Sequence, residues 1–181
     1  MFESIVQFAT DFVATHSHWA PVLAFLLAFF ETLAFISLLV PSTVILVAVG
    51  TLIAAGALDM LPIWIGASAG ALTGSTLSFA LGRRFGPAVL SAWPMNRDPS
   101  LVERGRAAFA RWGTPAVLVS HFFGPLRSVA FIIAGASAMR LLAFQLVNVP
   151  GSLAWAYLTP KSGEIGGEIV GAVWRAVSGG S

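Results

Sequence analysis

Glu31 and Arg127 are the residues whose surroundings call for a chemical explanation. Each is the single charged side chain of a long apolar stretch, Glu31 within residues 19–58 and Arg127 within residues 112–139. Leaving either charge against lipid costs several kcal/mol, with figures for a membrane-centred arginine from about 2.5 to above 10 kcal/mol. Each therefore needs water, a partner or a bound headgroup. Both sit close to a helix breaker: Pro41 follows Glu31, and Gly124-Pro125 precedes Arg127. A broken helix frees backbone N–H groups that bind anions, and the guanidinium fork is the better phosphate ligand of the two charges. Ser128 and Ser120 can add hydroxyls from the same segment, and Ser42 and Thr43 from the first one. Two roles are open to Glu31 and Arg127: a static buried ion pair, or an anion site in which Glu31 also binds a proton. His121 has two readings as well, a packing or backbone-bonded imidazole and a proton relay. Its weight lies with the first.

The elements that carry these residues belong to a membrane protein. Of 181 residues, 57% are hydrophobic and 10% are charged, with a mean hydropathy of +0.85, whereas soluble chains carry about 25% charged residues. Uncharged tracts run through 32–58, 60–82 and 141–160, each comparable to the roughly 20 residues that cross a bilayer as a helix. A chain of this size has room for one domain of a few membrane segments, so a large transporter would require a homo-oligomer. Cysteine is absent, which excludes disulfides and thiolate metal sites. The sequence implies no cofactor or metal: His16 and His18 beside Trp19 read as membrane-boundary residues, since two histidines without further ligands make a poor metal site. The formal net charge is only +2, and six arginines cluster between 83 and 111. By the positive-inside rule the loop 82–112 is expected to be cytoplasmic, and its charge to meet lipid headgroups rather than nucleic acid.

Along the chain the expected order is an interfacial amphipathic helix (1–18), a first re-entrant region (19–58), a transmembrane helix (59–86), a basic cytoplasmic segment (87–112), a second re-entrant region (113–139), a transmembrane helix (141–160) and a tail of open placement (161–181). As one helix, residues 19–58 would be about 60 Å long, twice the hydrocarbon thickness. They must turn at Pro41, just as 113–139 must turn at Gly124-Pro125. The expected architecture is therefore an all-α polytopic membrane protein with two broken or re-entrant hairpins facing each other. Gly66, Gly70 and Gly74 recur every four residues, a small-residue ridge for close helix packing. The last span is expected to bend near Asn148–Gly151 and to end at Pro160-Lys161. No zinc motif, nucleophile elbow or activated serine points to an enzyme.

The ordered motifs from about residue 20 to 158 resemble the DedA family of membrane proteins, also called the VTT or SNARE-associated group. Glu31 with Pro41, Gly82-Arg83-Arg84-Phe85-Gly86, and Gly124-Pro125-Leu126-Arg127-Ser128 carry the resemblance. They are followed by Ala134-Gly135, Met139, Phe144, Asn148, Gly151 and Trp155. The resemblance implies two opposed re-entrant hairpins and transport of polyisoprenyl phosphate or scrambling of phospholipid, with Glu31 and Arg127 as site residues. Its implied partners are membrane lipids with phosphate headgroups. Thr43, Ser75 and His121 stand where the family commonly has charged residues, which bears on proton coupling and on the lipid carried. The alternatives are a proton-coupled transporter of a small solute or ion, and a non-transporting membrane scaffold.

Overall fold

A computed structural model describes residues 17–33, 42–86, 88 and 99–178. Most of the expected interfacial helix, Pro41, and the Arg97-Asp98 part of the basic segment lie outside the described residues. After a short 3-10 turn at Ser17–Trp19 come seven α-helices among the described residues: α1 (Ala20–Thr32), α2 (Ser42–Ala54), α3 (Met60–Phe85), α4 (Pro99–Trp112), α5 (Thr114–Ser120), α6 (Gly124–Ala136) and α7 (Leu141–Ser178). The fold is all-α and suited to a membrane. Large apolar side chains such as Leu61, Ile65, Leu142 and Leu146 are more than half exposed, a surface that water disfavours and hydrocarbon does not.

Helix length separates the elements into two groups. Leu141–Ile169 within α7 is the one stretch, among the described residues, long and apolar enough to cross a bilayer by itself. Helix α3 has 26 residues, about 39 Å at 1.5 Å per residue, but its many Gly, Ser and Thr residues dilute its hydropathy. The apolar stretches Ala20–Thr32, Ile45–Ala54 and Arg127–Ala136 are shorter; thirteen residues reach about 20 Å, less than the hydrocarbon core.

Small residues decide which helices meet. Ala20, Ala24 and Ala28 line the buried side of α1, and they face the ridge of α3. A Cβ on Gly66, Gly70 or Gly74 would collide with the carbonyl oxygens of Pro21, Phe25 or Phe29 respectively. Both residue series ascend together, so α1 and α3 run parallel with their backbones in contact. Helices α2 and α7 use the same device: a Cβ on Gly50 would strike the Pro160 carbonyl, and one on Gly163 the Val47 carbonyl. Without a water-driven hydrophobic force in lipid, such close van der Waals approach is what holds helices together.

Helix α7 departs from the expectation that the last span stops at Pro160-Lys161. It continues through both Pro150 and Pro160 to Ser178. Each proline forfeits one backbone hydrogen bond. The region around Pro160 is clasped by α2 through Gly50 and Gly163, and this packing favours a continuous helix over a stop.

Among the described residues two apolar clusters contribute to the core. Ala20, Ala24 and Ala28 join Leu46, Val49, Ile63, Ala67, Ala71, Trp155 and Ala156 in one of them. Phe79, Val117, Phe131, Ala134 and Phe144 make the other. Trp155 belongs to the first and Phe144 to the second, so α7 runs behind both.

Candidate functional site: a buried ion pair beside a polar ladder

Glu31 is carried by the last turn of α1. That helix ends at Thr32 because its terminal groups find partners there. The Leu33 amide donates to Phe29 O at 3.1 Å, and Ser78 Oγ of α3 donates to Thr32 O at 2.8 Å. The Thr32 hydroxyl turns back on Ala28 O at 2.8 Å, and Gly74 leaves room for it, since a Cβ there would collide with Thr32 Oγ1. The ridge glycine and the buried Ser78 thus pin the end of α1, and with it the Glu31 backbone.

Arg127 is placed by the break before α6. Helix α5 tightens at its end, the amides of Phe122 and Phe123 donating to Val119 O and Ser120 O at 3.1 and 3.0 Å. Helix α6 then starts at Gly124 with Pro125 in its first turn, where a missing N–H costs nothing. Arg127 follows within that first turn. Gly113, with φ of +60°, makes the corner between α4 and α5, a conformation glycine adopts without strain.

The two charges meet. Arg127 Nη2 lies 2.9 Å from Glu31 Oε1, and the side chains are 0% and 8% exposed. The approach lies off the N–H direction: Nε, Nη1 and Nη2 all lack a directed hydrogen-bond partner among the described residues. On its other face the guanidinium carbon sits 4.1 Å from the centroid of the Trp155 ring, within cation–π range. The fully buried guanidinium is therefore compensated by one carboxylate and one indole face, with most of its donors unspent. Five N–H donors in a fixed fork normally seek several oxygens, so this is an unusually open arrangement for a charge removed from solvent.

His121 lies beside this pair but in a different kind of environment. It is 1% exposed, and its Nδ1 is 2.9 Å from Val117 O one turn back. A carbonyl only accepts, so Nδ1 carries the hydrogen. Nε2 is 3.2 Å from Ser152 Oγ, and Ser152 Oγ is 3.5 Å from Asn148 Oδ1. Asn148 Nδ2 donates to Gln145 Oε1 at 3.0 Å, Gln145 Nε2 donates to Thr76 Oγ1 at 2.8 Å, and Thr76 closes the series on Leu72 O at 2.6 Å. The imidazole also packs on Phe131, ring centroids 5.0 Å apart. Gly151 makes its seat, because a Cβ there would stand 2.7 Å from Nδ1. The imidazole is packed and bonded to backbone, and it opens a chain of neutral side chains.

Of the residues singled out from sequence, the structure brings Glu31 and Arg127 together and places His121, Ser120 and Ser128 as buried residues of the same α5–α6 segment. Ser120 Oγ donates to its own helix at Val117 O, 2.8 Å. Ser42 and Thr43 open α2; the positions of their side chains are outside the described set. Ser75 is fully buried and donates to Leu72 O at 3.1 Å, a helix-internal bond in place of a charge. Sequence reasoning missed Trp155 as a partner of Arg127, and it missed Ser152, Asn148, Gln145 and Thr76. The signal was available: Gln145, Asn148, Ser152 and Trp155 are spaced three or four apart, which makes one stripe on a helix.

Comparison with known proteins bears on what such a site serves. A family model described as the VTT domain matches residues 40–164. The inner membrane protein YabI of Escherichia coli is 30% identical over 145 residues, 80% of this chain and 57% of that protein. Inner membrane protein YghB of the same organism is 29% identical over 124 residues, covering 68% of this chain and 57% of the relative. An uncharacterized membrane protein of Mycobacterium tuberculosis is 33% identical over 122 residues, covering 64% and 56%. The chain spans a little over half the length of these relatives. No solved structure matches it. The family model covers more than half of the chain and includes Arg127 and the polar stripe of α7: this chain belongs to the DedA, or VTT-domain, family of integral membrane proteins.

Proposed function

We propose that the chain moves a phosphate-bearing lipid, such as a polyisoprenyl phosphate or a phospholipid, across a bacterial inner membrane. The observation that carries this reading is the buried Arg127 guanidinium, 2.9 Å from Glu31, with Nε and Nη1 unbonded among the described residues. The pair is the closed state of an anion site. A phosphate oxygen arriving at Arg127 finds Nε and Nη1 unspent among the described residues and takes the place of the Glu31 carboxylate beside Nη2.

The exchange is close to balanced, which transport requires. A phosphate replaces the Glu31 carboxylate on the same cation, so Arg127 is never stripped of counter-charge. Trp155 holds the guanidinium plane while the partner changes. Helix α6 begins at the break immediately before Arg127, and amides at a helix start favour an anion there. In this reading 19–58 and 113–139 are re-entrant hairpins whose tips face each other, the headgroup passes between them, and the acyl or isoprenyl tail stays in the bilayer. The short helices, each under the bilayer thickness, fit that path. So does family membership, together with inner-membrane naming of the relatives in Escherichia coli.

The test is transbilayer movement in liposomes reconstituted with the purified chain and fluorescent or radiolabelled lipid phosphates. Movement is expected with the native chain and is expected to vanish with Arg127→Gln. Unchanged lipid distribution with the native protein, across polyisoprenyl phosphate and the common phospholipids, would end the proposal.

A further inference from the structure

The polar stripe of α7 does not end inside the protein. Its last partner, Thr76, to which Gln145 donates, lines a cleft of about 710 Å³ between α3 and the start of α7, together with Phe79, Arg83, Arg84, Arg140 and Leu141. Three arginines line it together, and no carboxylate is among its described lining residues. Arg83 Nη1 donates to Met139 O at 2.9 Å, which fixes that guanidinium against the turn before α7. Arg84 lies over the Phe85 ring, 5.7 Å from its centroid. Among the described residues none of the three is ion-paired. Beside them Phe85, Leu141 and Leu142 are at least half exposed.

We propose that this cleft binds the phosphate headgroup of an anionic membrane lipid, as a site separate from Arg127. Charge complementarity identifies the headgroup: three guanidinium groups with no carboxylate paired to them among the described residues attract phosphate, and one of them is already oriented by a backbone carbonyl. The apolar surround identifies the source as a lipid rather than free phosphate. Exposed Phe85, Leu141 and Leu142 place the arginines next to hydrocarbon, where acyl chains can lie along α3 and α7 while the headgroup sits among the cations. Basic pockets between membrane helices are recognised settings for such headgroups. The cleft also stands at the outer end of the stripe that runs through Gln145, Asn148 and Ser152 to His121. A lipid held there is therefore aligned with the face of α7 that reaches the buried pair. Binding at the cleft does not depend on the transport reading, since it can occur on a protein that moves nothing.

The experiment is native mass spectrometry of the full chain in neutral detergent, titrated with dioleoyl phosphatidic acid or dioleoyl phosphatidylcholine. Phosphatidic acid is expected to be retained in preference to phosphatidylcholine, and Arg84→Gln with Arg140→Gln is expected to lower that retention about tenfold or more, at roughly one kcal/mol per interfacial arginine. Arg84→Lys with Arg140→Lys should keep most of it. Arg106→Gln, at an exposed arginine of α4 outside the cleft, should leave it within about twofold, which separates the cleft from a general loss of positive charge. Raising the salt should weaken it, because exposed charges are screened. Both arginine side chains are exposed, so their replacement leaves the helix packing intact, and unchanged helicity by circular dichroism checks that. Equal retention by the Arg84→Gln, Arg140→Gln protein would overturn the proposal, as would equal retention of phosphatidylcholine. Displacement of phosphatidic acid by inorganic phosphate at matched concentration would overturn the lipid as the source.

Discussion

The ion pair of Glu31 with Arg127 and the ladder from His121 to Thr76 lie side by side against α7, and they handle buried polarity in opposite ways. The ladder is neutral and closely spaced: Ser152 donates to His121 Nε2, Asn148, Gln145 and Thr76 are bonded in series, and Ser152 Oγ touches Asn148 Oδ1 at 3.5 Å. The pair is charged, and among the described residues Arg127 has one close carboxylate and one aromatic face for its five donors. A connected neutral network makes one arrangement of the helices better than its competitors. A charged group with unspent donors keeps a second arrangement, with a new anion, within reach. The ladder therefore reads as the frame of α5 against α7, and the pair as the part built to change partners.

Removing one charge is the strongest way to break this comparison. Glu31→Ala leaves Arg127 buried without its carboxylate and is expected to destabilise the fold by about 3–5 kcal/mol, measured by equilibrium denaturation in detergent. The paired change Glu31→Gln with Arg127→Gln removes both charges and should recover much of that loss while abolishing lipid movement. Wild-type movement in the paired variant would reduce the ion pair to a structural element.

Steric insult to the ladder comes next. Gly151→Ala puts a methyl group against the imidazole, 2.7 Å from Nδ1, and overpacking of this kind costs about 1–3 kcal/mol. The His121 ring nitrogen resonances should shift as the Ser152 contact is lost; an unmoved ring would mean that α7 yields instead. Ser152→Ala is gentler. It deletes one rung, and about 1 kcal/mol of stability is expected to go, with lipid movement kept within about threefold. A collapse of transport in Ser152→Ala at unchanged stability would move the ladder from frame to pathway. The smallest effect is expected for Trp155→Phe, which retains an aromatic face but a weaker one, at about 0.5–1 kcal/mol. A double-mutant cycle of Trp155→Phe with Arg127→Gln measures that contact directly, and a coupling near zero would remove Trp155 from the site.

Much of the fold was legible because membrane chains obey few rules. Glu31 and Arg127 stood out as the lone charges of their stretches, and the turn before Arg127 was visible in Gly124-Pro125. The every-fourth glycines of α3 announced a close neighbour. Proline was less informative in α7: Pro160 looked like a terminator, yet the helix runs on to Ser178, since the grip of α2 on that region is invisible to local propensity. The ladder was harder to see because its members are ordinary residues, and each of them has a harmless reading when taken alone.

By itself the sequence determined the solvent: composition and uncharged tracts require a bilayer, and the expense of a charge there marks Glu31 and Arg127 as residues that must have partners. Only the tertiary structure decided who those partners are. Glu31 and Arg127 are separated by ninety-six positions in the chain, and their contact depends on α1 being held to α3 by Gly74 and Ser78 while α5 and α6 are packed in place around it. Charge sets the need locally, but a 2.9 Å approach is set by the rigid-body packing of whole helices, and that packing is resolved only when all of them are present.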